Sequence, residues 1–183
     1  MSDHLGSVMF QAIPTIYDGH TFRSRLEARW ALFFNFAGLP WEYEPEGFAL
    51  ELRGESFSYL PDFRLPSLGC WFEVKPEYGS FEESDVLQIA RNTYSLARAT
   101  QMPVYVAFGS LRDAEILCLP AGASFGEGWQ VSWGRCAKCL AWGLGQDETE
   151  PRPCCGESCG RIGVQQVRGA IVDAHAFRFW EPM

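Results

Sequence analysis

From residue 22 to 37 apolar side chains recur at helical spacing, with Phe22, Leu26, Trp30, Phe33, Phe34 and Ala37 on one side and Gly38 and Pro40 ending the run. Thr21 stands in an N-cap position, so the pattern predicts a helix opening near Phe22. Residues 1–20 lack such a period and read as an irregular arm. The period then shortens to two. Segments 41–44, 48–52, 59–65 and 71–75 alternate apolar and polar, punctuated by Gly47, Gly54, Pro66 and Gly69, which predicts a meander of strands. Residues 81–100 return to helical spacing, with Phe81, Val86, Ile89, Ala90, Tyr94 and Ala97 inward. Residues 103–109 suit a buried strand and 114–119 another; 121–128 loosen into a loop. This order of elements predicts an α/β sandwich around a mixed sheet flanked by helices. A final apolar stretch, 169–180, fits strand or helix. There is no internal repeat and no low-complexity tract.

Composition narrows the reading. A chain of 183 residues, 47% hydrophobic, with seven Trp and fourteen Phe, has material for one compact domain and a small appendage. No run approaches the roughly 18–20 apolar residues that cross a bilayer. The opening MSDHLGSVMFQAIP has no basic segment leading into a long apolar one. The expectation is no membrane partner and a cytoplasmic location, in a bacterium or a phage-infected host cell. A net charge of -8 argues against nonspecific binding to a polyanion. Cations are nevertheless clustered: Arg23, Arg25 and Arg29 in one stretch, and Arg135, Lys138, Arg152, Arg161 and Arg168 in or near the cysteine-rich part. A solvated surface would account equally for the later group.

The residues that suggest chemistry are Pro61-Asp62 and Glu73-Val74-Lys75. On a strand, Glu73 and Lys75 point one way while Phe72 and Val74 point into the core. A hairpin joining the two segments brings Asp62 beside Glu73, so two carboxylates and an amine share a patch. Such a group suits phosphodiester hydrolysis. Asp62, Glu73 and the Val74 carbonyl offer hard oxygen ligands to Mg2+ or Mn2+, and Lys75 can orient a water or stabilise developing negative charge. Taken singly, each residue fits a surface ion pair of little worth. Their order, separation and apolar flanks favour the catalytic reading.

In these motifs the chain resembles the PD-(D/E)XK nuclease superfamily, which includes many restriction endonucleases and archaeal Holliday junction resolvases. The likeness covers about residues 15–110. It implies a restriction-endonuclease-like core, with Asp62, Glu73 and Lys75 catalytic. Within Phe22-Arg23-Ser24-Arg25-Leu26-Glu27-Ala28-Arg29, Glu27 stands where related nucleases carry a glutamate on the first helix. By resemblance Glu27 joins the metal site, directly or through water; the alternative is a helix carboxylate paired with Arg23 one turn earlier. Segments 41–48 and 59–63 are also similar to small nuclease-like proteins of phages and prophages. Gln88 and Tyr94 are too far apart for the Gln-x-x-x-Tyr spacing of RecB-type members, and no role is carried over to them.

Five of the seven cysteines fall between Cys136 and Cys159, a clustering that favours metal over a disulfide scaffold. Cys136-Ala-Lys-Cys139 has the spacing of a zinc knuckle. A tetrahedral structural Zn2+ site then takes Cys155 and Cys159, with Cys154 as the substitute for Cys155. Cys70 and Cys118 lie in apolar strands and read as core residues. The expected organisation is an arm at 1–20, a nuclease core at 21–125, a zinc-ribbon-like insertion at 126–168 and a terminal segment at 169–183.

The leading expectation is therefore a metal-dependent deoxyribonuclease, an endonuclease, with Arg23, Arg25, Arg135, Lys138 and Arg152 as DNA-contacting cations. A rival is a non-catalytic module that binds DNA or protein through the same fold. A third reading is a resolvase of branched DNA, which expects a homodimer.

Overall fold

The computed structural model describes residues 12–77, 79, 81–136, 141–145 and 161–162. A tight hairpin comes first, where the sequence suggests an irregular arm. Strands β1 (Thr15–Tyr17) and β2 (His20–Phe22) pair antiparallel around Asp18-Gly19, both with positive φ (50° and 76°). Asp-Gly is the pair that a two-residue turn of this hand selects.

Because β2 uses residues up to Phe22, helix α1 (Arg25–Ala37) begins three residues later than its apolar period predicts. Ser24, not Thr21, is the N-cap; its side chain accepts from the Glu27 N–H. Ser24-x-x-Glu27 is a capping-box sequence, a stronger stop than a lone threonine. Gly38 closes the helix in the left-handed conformation at φ 64°, and the Leu39 N–H returns to the Phe34 carbonyl.

Beyond α1 run β3 (Glu42–Tyr43), β4 (Phe48–Leu52), β5 (Glu55–Tyr59), β6 (Phe63–Leu65), a 3-10 turn (Pro66–Leu68), β7 (Cys70–Lys75), α2 (Glu83–Thr100), β8 (Val104–Phe108), β9 (Glu115–Leu119), β10 (Trp129–Cys136), β11 (Trp142–Gly145) and β12 (Arg161–Ile162). The main sheet has the order β11-β10-β9-β8-β7-β6-β3, with β12 on β10. β7 and β8 are parallel, as a helical crossover through α2 requires, and their neighbours are antiparallel. The meander expected from the period-two pattern is divided: β4 and β5 form a sheet of their own. The expected strand over 59–65 breaks at Leu60-Pro61-Asp62, leaving Tyr59 on β5 and Phe63 on β6. A proline lacks the N–H that a continuing ladder needs.

The sheet buries both faces. On one, α1 packs Trp30, Phe33 and Phe34 against Phe63, Phe72, Val74 and Trp133. On the other, Trp71, Val104, Val106 and Leu119 meet Leu96 and Ala97 of α2 and Leu50 of β4. Cys70 and Cys118 are core residues, as expected. β10 pairs with β9, so the cysteine-rich stretch begins as a continuation of the main sheet. Among the described residues no helix is long and apolar enough to cross a membrane.

Candidate active site

Alternation along β7 sends Cys70, Phe72 and Val74 toward α1 and Trp71, Glu73 and Lys75 toward the opposite face. Asp62 lies just before β6, which pairs antiparallel with β7. The Asp62 N–H donates to Glu73 Oε1 at 3.1 Å, and Asp62 Oδ2 accepts from the Val74 N–H at 2.8 Å. These reciprocal bonds lock the two acids together where β6 runs out. Lys75 Nζ lies 2.9 Å from Glu73 Oε2 and 3.4 Å from Asp62 Oδ2. The three side chains expected to meet therefore do so. They are also buried rather than splayed on the surface: Asp62 is 2% exposed and Glu73 fully enclosed. The Val74 side chain is in the core; its carbonyl leaves β7 on the edge used by its N–H, toward Asp62.

Burial and proximity set the charges. Asp62 is pushed up to about 7, first by desolvation and then by the Glu73 charge, against the pull of Lys75 and the Val74 N–H. Desolvation raises Glu73 too, but Lys75, the Tyr59 hydroxyl and the Asp62 N–H outweigh it and hold Glu73 below its ordinary value. Lys75 is desolvated yet raised, because Glu73 and Asp62 stabilise its positive form. The two acids titrate as a coupled pair, in which burial and the Glu73 charge push the Asp62 carboxyl up while Lys75 holds Glu73 down.

A second layer comes from the start of α1. Glu27 is buried, accepting from the Ser24 hydroxyl at 2.8 Å, the Tyr43 hydroxyl at 2.6 Å and the Arg23 N–H at 3.2 Å. Arg23 stands ahead of the N-cap, not one helical turn before Glu27 as the helix pattern implies, because the helix starts late. Its guanidinium links the layers, with Nη2 2.6 Å from Asp62 Oδ1 and Nε 2.7 Å from Glu44 Oε1. Glu27 thus reaches the acidic pair by way of Arg23, while its charge still raises Asp62.

Glu44, Tyr43 and Tyr59 belong to this site and carry no motif of their own. Glu44 is anchored by its N–H on the Asp62 carbonyl at 2.9 Å and has a left-handed backbone, φ 44°. That conformation is uncommon outside glycine and asparagine. Tyr59 sits three positions before Asp62, and its hydroxyl is buried beside Glu73. A polar residue ending an apolar alternation next to Pro-Asp is the signal that could have pointed to it.

Of the other expected cations, Arg25 is half-buried on the first turn of α1. Arg135 is half-buried on β10, its guanidinium 5.4 Å from the Trp142 ring centre. β10 is three strands from β7, roughly 14 Å across the sheet at ordinary strand spacing, so Arg135 does not join the acidic pair. Cys136 is buried at the end of β10, and its N–H donates to the Ala141 carbonyl at 2.8 Å. Cys139, Cys154, Cys155, Cys159, Lys138 and Arg152 lie outside the described residues.

The donor chemistry fits a hard divalent cation. Asp62 and Glu73 give carboxylate oxygens, and the Val74 carbonyl faces the same edge. Among the described residues no three Asp, Glu, His or Cys side chains converge as a ready-made set, so water would complete the shell. No protein-family model, curated protein or solved structure matches the chain.

Proposed function

We propose that the protein is a Mg2+- or Mn2+-dependent deoxyribonuclease with a restriction-endonuclease-like core, cutting DNA by direct attack of water. The observation that carries this reading is the convergence of two buried carboxylates and one amine at the end of β7. Enclosing two carboxylates side by side is costly even with Lys75 and Arg23 as counter-charges, and a purely structural ion pair does not require that burial.

Asp62, Glu73 and the Val74 carbonyl would hold the ion, with Glu27 contributing through water. When bound, the ion supplies Lewis-acid stabilisation of phosphate charge and acidifies a water. The chain's own residues do the rest. Lys75 stays protonated between the two acids, so it orients water and offsets developing negative charge on a phosphate oxygen rather than acting as a base. Phe72 and Val74 fix the strand from the opposite face, which holds Glu73 and Lys75 in register. Arg23, whose exposed side chain reaches Asp62, would take the DNA backbone, and Arg25, two residues on, would be a further phosphate contact.

A zinc-ribbon-like insertion is part of the proposal. It is supported by Cys136 at a hairpin end and by β12, which starts two residues after Cys159 in sequence and pairs Arg161 with Cys136. Cys136, Cys139, Cys155 (or Cys154) and Cys159 would hold structural Zn2+.

The test is a cleavage panel of linear, circular, single-stranded and branched DNA with Mg2+ or Mn2+. Wild type should cut at least one substrate, while Asp62→Asn and Lys75→Ala fall to background. A wild-type protein that cuts none of them overturns the proposal.

A further inference from the structure

Four carboxylate oxygens face one another in the acidic pair, and they are held unequally. Glu73 Oε1 is bound by the Asp62 N–H, Glu73 Oε2 by Lys75, and Asp62 Oδ2 by the Val74 N–H with Lys75 nearby. These partners belong to β7 or to the turn into β6 and have little room to leave. Asp62 Oδ1 differs. Its cation is Arg23, which reaches in from the link between β2 and α1 with a side chain 55% exposed.

Arg23 is built to let go without leaving. Its N–H is anchored on Glu27 Oε2 and the Tyr43 hydroxyl, so the main chain stays put. Its Nε rests on Glu44, a residue held in a left-handed backbone by the Asp62 carbonyl. Non-glycine residues keep such a conformation only where surrounding structure insists, and these places cluster at functional sites. If Nη2 leaves Asp62, the Nε–Glu44 contact keeps the guanidinium at the entrance, presenting its outer N–H groups to solvent. Arginine cannot escape by losing its proton, so while Asp62 is ionised Arg23 leaves Oδ1 by moving and not by neutralisation.

We infer that Arg23 is an exchangeable counter-cation: it holds Asp62 Oδ1 in the metal-free protein, yields that oxygen to the divalent ion, and turns to a substrate phosphate while tethered to Glu44. This rests on the nuclease reading, and it adds a regulation of the same site in which metal entry releases a DNA-binding group. Guanidinium suits both tasks, because its planar fork matches carboxylate and phosphate alike.

Mn2+ binding without DNA, followed by the electron paramagnetic resonance of free Mn2+, tests the exchange. Arg23→Gln should bind Mn2+ about tenfold more tightly than wild type, the factor equivalent to about 1.4 kcal/mol of competition removed. Arg23→Lys, which keeps a cation there, should stay near wild type. Arg25→Gln removes the same charge a residue pair away and should change Mn2+ affinity less than about twofold. With Ca2+ in place of Mn2+ and a short duplex, Arg23→Gln should bind DNA about tenfold more weakly, the loss expected for one charge-assisted contact. Equal or weaker Mn2+ binding by Arg23→Gln overturns the inference, and so does equal tightening by Arg25→Gln. If wild type binds Mn2+ while Arg23→Gln is unchanged, the exchange alone fails. If neither wild type nor Arg23→Gln binds Mn2+, the nuclease reading fails with it.

Discussion

Replacing Asp62 with Asn should remove a pH dependence that the metal-free protein shows in the unusual direction. Asp62 is enclosed beside Glu73 and holds its proton up to about 7, against 3.8 for the free side chain. The folded state therefore binds that proton more tightly than the unfolded state does. Between these two values the folded protein carries more protons, so stability is fully present at low pH and is lost as pH rises through the folded value. From pH 5 to 7 the change is about 1.4 kcal/mol per unit, or about 3 kcal/mol in all. For a chain of this size that corresponds to roughly 6 to 12 °C in melting temperature. Glu73 works the other way, since its folded value is depressed, but its contribution is lost only below the ordinary carboxylate range and outside this window. Urea midpoints at pH 5 to 8, with chelator present, measure the effect. All other groups are common to both proteins, so the difference between wild type and Asp62→Asn isolates the pair. Wild type should lose about 3 kcal/mol more than the variant on going from pH 5 to 8. Parallel profiles would refute the claim that burial and Glu73 together raise Asp62.

Three further outcomes follow from the same geometry. Lys75→Met leaves two enclosed carboxylates short of a cation and should cost about 3–5 kcal/mol at pH 8 by urea unfolding, the loss shrinking at pH 5 as the pair takes up a proton. Ser24→Ala removes the N-cap bond to Glu27 and one of the three hydroxyl or amide groups holding that carboxylate; a loss of about 1 kcal/mol is expected by thermal or chemical denaturation. Phe33→Ala empties a fully buried site whose ring lies 5.2 Å from Trp133 and 5.7 Å from Trp142, so it should cost about 3–5 kcal/mol and quench or shift the tryptophan emission of β10 and β11.

How much of the fold is legible in the chain depends on what each pattern encodes. The run of β8 stands out because the sheet buries both its faces, and the apolar stripe of α1 because burial on one face imposes a period. That period says nothing about where a helix is cut short. Its start was set by the Asp18-Gly19 hairpin, which claims Phe22 for β2, and by Ser24 with Glu27, which cap better than Thr21. Alternation likewise marks Phe48 and Leu50 as one side of a strand but not which sheet they join, and it passes over Phe57, since β5 runs from Glu55 to Tyr59 where the pattern starts a strand only at Tyr59. β4 and β5 leave the main sheet to cover Trp71 alongside α2, a choice made by packing between distant segments. The parallel pairing of β7 with β8 was more accessible, since a strand, a long helix and a strand allow little else.

The site shows the same division. Period-two alternation was enough to put Glu73 and Lys75 on one side of β7, and a hairpin was enough to bring Asp62 near. The enclosing layer was hidden, because Tyr43, Glu44 and Tyr59 act through contacts that no spacing announces. That layer alters the chemical argument. With Glu27 and Glu44 added to Asp62 and Glu73, four acids surround two cations, Arg23 and Lys75. If all are ionised the cluster lacks two positive charges. A proton on Asp62, favoured first by burial and then by the Glu73 charge, makes up one of them; a divalent ion would make up both. On the proposed nuclease reading, these acids would take up a divalent cation before substrate arrives, and Arg23 would be its competitor for Asp62.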